Sequence, residues 1–205
     1  MTAISTEALT TVADVKELLG IASGVTTKDN LITRNINYAT RIILNYTGRD
    51  SFMSTSYTEY YDGIGGNQLV LRHYPIITFT SVGYKTGGGN VGTYIDLDSI
   101  DYFTDDNAGI VKSLIALTSG FNDWKVVYTA GYANVPDDVA EACARMAAYM
   151  TENGTAGTNI KKKQEGQRSV EYFDTSAGGG ASLIDSLGLD DILAPYCDVR
   201  ISGDN

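Results

Sequence analysis

The sequence is poor in the side chains that do chemistry. Its 205 residues include one histidine, two cysteines and three prolines. The histidine, His73, falls between an apparent strand and Pro75, a structural setting, so Ser-His-Asp triads, Cys-His dyads and multi-histidine metal sites are set aside. Cys143 and Cys197 are too few and too far apart for a disulfide framework or a zinc ribbon, and both read as reduced thiols. No run approaches the roughly 18 apolar residues of a membrane helix. The opening MTAISTEALTTVADVKELLG has neither the basic nor the apolar region of a secretory signal, so a cytoplasmic product and no membrane partner are expected.

Basic residues are also scarce. Fifteen Lys and Arg face twenty-five Asp and Glu, a net charge of −10. Residues 1–50 balance five acids with five bases, 51–135 hold eight against four, and 136–205 twelve against six. A protein that grips nucleic acid through phosphates needs a basic surface, so DNA or RNA binding is not its main activity.

What is present is enough for a core, with 43% hydrophobic and 20% charged residues, ordinary values for a globular chain. Thr11 and Asp14 have capping-box spacing, and Val12, Val15, Leu18 and Leu19 recur helically before Gly20, which predicts a first helix over 11–20. Leu31, Ile32, Ile36, Ala39, Ile42, Ile43 and Tyr46 mark one face of a second helix over 28–46, closed by Gly48. Residues 52–130 are rich in Tyr, Thr, Val and Ile and are broken by GIGGN, KTGGGN and DDNAG. They predict strands near 57–61, 68–71, 77–84, 101–103 and 124–129, with a strictly sequential spacing that suits antiparallel pairing. Val135-Pro136-Asp137-Asp138 restarts helix with proline in the first turn and acids at the positive end of the dipole. Its stripe, Val139, Ala142, Cys143, Met146, Ala147 and Met150, is made mostly of small residues, so an element packs close. After Gly154 come a Gly, Thr and Lys-rich stretch, GGGAS at 178–182, and LIDSLGLDDILAPY, the composition of a flexible arm with short amphipathic pieces.

Several patterns imitate functional sites and have simpler readings. Gly63-Ile64-Gly65-Gly66 lacks the following helix and Lys-Ser/Thr of a phosphate loop and reads as a hairpin turn. Asp96, Asp98 and Asp101 lack EF-hand spacing. Asp137, Asp138 and Glu141 are acids where a helix dipole wants them, not a catalytic pair. Lys161, Lys162 and Lys163 are a solubilising charge run or a contact for an acidic protein partner. The fourteen tyrosines are explained by strand packing, with an aromatic sugar-binding platform as the alternative. No catalytic, cofactor or metal residue is assigned.

The order of short motifs is more specific than any one of them. Asp14-Val15-Lys16-Glu17-Leu18-Leu19 is followed by Asp29-Asn30-Leu31-Ile32 and by Ile43-Leu44-Asn45-Tyr46-Thr47-Gly48-Arg49. Then come Tyr74-Pro75-Ile76, Ser81-Val82-Gly83-Tyr84, Val126-Val127-Tyr128-Thr129-Ala130-Gly131-Tyr132 and Val135-Pro136-Asp137-Asp138-Val139. Over about residues 11–150 the chain resembles the head-tail connector family of tailed bacteriophages, the adaptor or head-completion proteins, in the version with a β-rich insertion.

The resemblance implies a non-enzymatic virion subunit of the neck. It implies a twelve-subunit homo-oligomeric ring beneath the portal protein, extending the DNA channel toward a stopper or tail-completion protein, with DNA passing and not specifically bound. A carbohydrate- or receptor-binding virion module built on the aromatic β region is the alternative. The expected fold is α+β: helices in 1–50, an antiparallel β insertion over 51–134, a third core helix over 135–153 and a flexible arm over 154–205. Lys161, Lys162, Lys163, Tyr172, Phe173, Leu183, Ile184, Leu187, Ile192 and Leu193 are candidate partner contacts, because an arm this apolar needs a surface to cover it. Ala144, Ala147 and Ala148 are candidates for close helix packing, within the core or between subunits.

Overall fold

A computed structural model describes residues 3–63, 65–87, 92–115, 120–153, 162–165, 168–171 and 179–197. The chain divides into two compact units, one formed by residues 1–50 with 135–205 and the other by 51–134. The first is helical and the second is β, so the chain is α+β.

In the helical unit, α1 (Val12–Leu18) opens with the capping box that its sequence spacing predicts: Asp14 N donates to Thr11 Oγ1, and Thr11 N donates to Asp14 Oδ2. This satisfies amides that the first turn leaves without helical partners. α2 (Asp29–Thr47) ends at Gly48, whose φ of 68° continues the chain in a left-handed conformation that a side chain would oppose. Lys16 ties the two helices together. It is 6% exposed, and its Nζ lies 2.6 Å from Asp29 Oδ1 while donating to the Ser23 carbonyl.

α3 (Asp137–Asn153) packs against both α1 and α2. Ile32, Ile36, Ala39 and Ile43 from α2 and Val139, Ala142, Cys143, Met146 and Ala147 from α3 are fully or almost fully buried. The alanines and the cysteine leave little side chain between the axes, which is how the two helices approach closely. Ala144, Ala147 and Ala148 are themselves buried within this unit, so of the two roles that the sequence left open for them the structure supports packing inside the chain.

The composition of residues 154–205 predicts a flexible arm throughout, but 179–197 fold. α4 (Gly179–Ser186), α5 (Asp190–Leu193) and a 3-10 turn (Ala194–Tyr196) follow one another. α4 packs on α2 and α5 on α3, burying Ile184, Leu189 and Leu193 completely. The sequence shows these residues as apolar and short of a core; the long helices of the same chain supply that core. The turn between α4 and α5 brings Leu189 N back to the Ile184 carbonyl, a closing bond that fixes the second segment against the first.

The β unit contains β1 (Thr55–Gly63), β2 (Gln68–Val70), β3 (Ile76–Thr86), β4 (Thr93–Asp96), β5 (Tyr102–Asp105), β6 (Ile110–Ser113) and β7 (Gly120–Ala130). One sheet has the order β1-β7-β3-β4 and the other β2-β6-β5, and all their ladders are antiparallel. The antiparallel pairing is as expected, with β3 beside β4 and β5 beside β6 in sequence order, while the first and last strands are also neighbours. β1 and β2 belong to different sheets, so the glycine-rich stretch between them is a crossing and not a hairpin turn. β4 and β6, four residues each, are absent from the sequence reading.

Alternation explains the core. Trp124, Val126, Tyr128 and Ala130 of β7 face inward with Val82 of β3, Leu69 of β2 and Val111 of β6. Tyr57, Tyr61, Phe79, Tyr84 and Tyr102 close the sides. Residues 162–165 (β8) and 168–171 (β9) form a separate two-stranded antiparallel ribbon.

Candidate functional site

The β unit buries one carboxylate among its described residues. Glu59 points inward from the middle of β1 and is 7% exposed. Its Oε2 accepts from the Tyr61 hydroxyl and, at 2.7 Å, from Tyr128; its Oε1 is 2.9 Å from His73 Nδ1. The phenols are held in turn: Arg72 N donates to Tyr61 Oη at 3.0 Å and His73 N to Tyr128 Oη at 3.2 Å. Tyr57 stacks on the His73 ring with centroids 3.8 Å apart and planes 6° apart. The Arg72 guanidinium stands 5.3 Å from the Tyr61 ring centroid.

Burial by itself would raise the Glu59 carboxyl, but the hydrogen bonds from His73, Tyr61 and Tyr128 outweigh it and hold the group down to about 2. Burial and the neighbouring carboxylate push both phenols up. Glu59 is therefore an acceptor saturated by donors, with neither a free lone pair aimed at solvent nor a proton to give. Such a group is unsuited to acid-base work. It anchors the segment that carries Leu71, His73 and Pro75 across the inner face of β1. His73, read from sequence as structural, is a member of this network; its link to Glu59, fourteen positions away, was not legible.

In the helical unit Asp14, Glu17, Asp137 and Glu141 line one groove together with Thr10, Leu18, Ala140 and Ala144. Two of these acids have evident structural tasks. Asp14 is drawn below the usual range chiefly by the Thr11 hydroxyl that it caps, and Glu141 pairs with Arg145 one turn on at 2.7 Å. Neighbouring Asp138 accepts from Tyr196 Oη at 2.8 Å, linking α3 to the C-terminal turn. Among the described residues no group of three or more His, Cys, Asp or Glu side chains is placed to hold a metal ion, and no helix is long and apolar enough to cross a membrane.

The sequence-predicted contact residues separate in the structure. Lys161, Tyr172 and Phe173 lie outside the described residues, and Lys162 and Lys163 are placed on β8 by their backbone. Ile184 and Leu193 are buried in the chain's own helical core, while Leu183, Leu187 and Ile192 are half-buried beside it. Most aromatics of the β unit are taken up by packing: Tyr128 and Trp124 are 1% exposed, and Tyr57, Tyr61 and Tyr84 pack against the same core, while the exposed Tyr60 stands against Tyr94 with ring centroids 5.5 Å apart. Exposed apolar side chains are instead scattered singly over β-unit strands and turns, including Val70, Ile100, Phe103, Leu114 and Phe121, as is ordinary for a protein surface.

Comparison with known proteins agrees with a site made of surfaces. The sequence model of the head completion protein family matches residues 8–167. No curated protein matches the chain. Among solved structures, the neck of an empty GTA particle computed with C6 symmetry contains a similar chain, with a TM-score of 0.60 and 17% identity over 100% of this chain and 96% of that one. The neck of a native GTA particle computed with C12 symmetry contains another, with a TM-score of 0.56 and 17% identity over the same shares. At that identity the likeness is one of fold.

Proposed function

Because this chain belongs to the head completion protein family, we propose that it works as the adaptor of a phage neck, a ring of twelve copies seated beneath the portal protein that continues the DNA channel toward a stopper or tail-completion protein. It is a structural protein and not an enzyme. The observation that carries the proposal is the family match over residues 8–167, which takes in α1, α2, α3 and the entire β insertion. The fold shared with components of necks computed with C6 and C12 symmetry supports a ring.

Charge supports the channel role. DNA sliding through a lumen should not be held by its phosphates, and a chain of net charge −10 offers carboxylates that repel them. The copies would await assembly in the host cytoplasm and end in the virion neck. Sugar binding by the β unit is the less favoured reading, since Trp124 and Tyr128 are inside the core.

Electron microscopy of the purified chain mixed with portal rings tests the proposal. Rings of this chain capping one end of the portal are expected. Copies that leave the portal bare, or that bind glycans as monomers or trimers, would overturn it.

A further inference from the structure

Strand β1 lies at the margin of the four-stranded sheet, paired to β7 on one side and, among the described residues, to no strand on the other. At nine residues it is the longest marginal strand of the two larger sheets, where β2 has three and β4 and β5 have four each. An open row of amides and carbonyls recruits other strands, so margins are ordinarily kept short or guarded by proline and lysine. β1 reads TSYTEYYDG and contains neither. Ser56, Thr58, Tyr60 and Asp62 are exposed along it.

The same chain carries a strand pair without a sheet. Among the described residues β8 and β9, four residues each, pair only with one another. A lone two-stranded ribbon is marginal in water, and KKQE with RSVE includes a single apolar residue, Val170, so no core of its own supports it. Its charge suits β1. The ribbon's strands hold Lys162, Lys163 and Arg168 against Glu165 and Glu171, with Lys161 just before, whereas β1 exposes the carboxylate of Asp62 and holds no base, Glu59 being turned into the core.

We propose that the β8–β9 ribbon of one copy adds to the free margin of β1 in a second copy, extending the four-stranded sheet across the boundary between subunits. The inference rests on the self-assembly in the proposed function and names its surfaces. Main-chain hydrogen bonds would supply the affinity, as in other strand additions, and opposite charge the direction of approach. The contact is heterologous, so every copy gives a ribbon to one neighbour and accepts one from the other, the arrangement that closes into a ring when the rotation allows.

Hydrogen exchange of the full-length chain over a rising concentration series, with light scattering in parallel, tests the proposal. As mass increases, amides of β1, β8 and β9 should slow together by about tenfold or more. Val170→Pro, which removes a ladder donor from the ribbon, should abolish both the slowing and the association while leaving the melting of the two units unchanged. Association with β1 exchanging as in the dilute chain overturns the proposal and leaves the ring to another surface. Absence of association at every concentration also overturns it, because the free chain holds both halves of the contact; the portal experiment would then judge the ring separately.

Discussion

Asn35 and Thr151 meet inside the helical unit, the Nδ2 amide of one donating to the Oγ1 hydroxyl of the other across 2.9 Å. They stand 116 positions apart, one on α2 before the β insertion and one on α3 after it. Thr151 passes its own proton to the Ala147 carbonyl, and Asn35 Oδ1 faces no donor. With the buried Thr40 Oγ1–Cys143 Sγ contact at 3.7 Å, this bond helps to set the register of two helices that the chain separates by an entire folded unit.

Asn35→Ala should lower the stability of the helical unit by about 1–3 kcal/mol, the cost of a buried bond lost with its acceptor left unpaired. Thr151→Val should cost less than this. The double variant should cost less than the sum, because both changes remove the same bond. Denaturant unfolding of the four proteins followed by helical circular dichroism gives the coupling; strict additivity would mean that the bond contributes nothing.

The Glu59 network makes a pH prediction for the β unit. The folded carboxyl lies near 2 against an ordinary 4.5, so its contribution is complete above 4.5 and is lost as pH falls toward 2. That contribution is on the order of 2–3 kcal/mol. Glu59→Gln should destabilise the unit at neutral pH and flatten its acid dependence between those limits. Urea midpoints at neutral pH and near about pH 3 should converge for the two proteins; equal midpoints at neutral pH would show that the carboxylate's charge is not used.

The C-terminal segment should be part of the folded helical unit. Leu193→Ala should cost about 2–5 kcal/mol, as buried leucine truncations do. Ending the chain at residue 178 should remove more, since Ile184 and Leu189 go too, along with the Arg49 Nε bond to the Tyr196 carbonyl at 2.7 Å and the Tyr46 bond to Asp190 at 3.1 Å. Thermal melts of both variants check this, and a truncated chain as stable as the whole would place the segment's value elsewhere.

The two thiols should differ in reactivity. Cys143 is fully buried beside Thr40, and burial pushes its thiol up to about 12. Cys197 is half-buried at the end of the chain's last turn, with its thiol raised less. A disulfide reagent should therefore modify one cysteine in the native protein and both in denaturant. Rapid loss of two thiols without denaturant would indicate that α2 and α3 separate readily.

Much was legible because it is local. Thr11 and Asp14 cap a helix through a three-residue spacing, Gly48 ends one through its own backbone freedom, and the alternation in β7 follows from the pleat. The order of such motifs also carried the family. The rest depends on which distant segments meet. No sequence period announces that β1 pairs with β7, that Glu59 gathers His73 and two phenols around it, or that Ile184 and Leu193 are covered by α2 and α3 and not by another protein. An apolar residue states that it needs burial, since water penalises its surface wherever it is placed; only the tertiary fold decides which surface removes it from water.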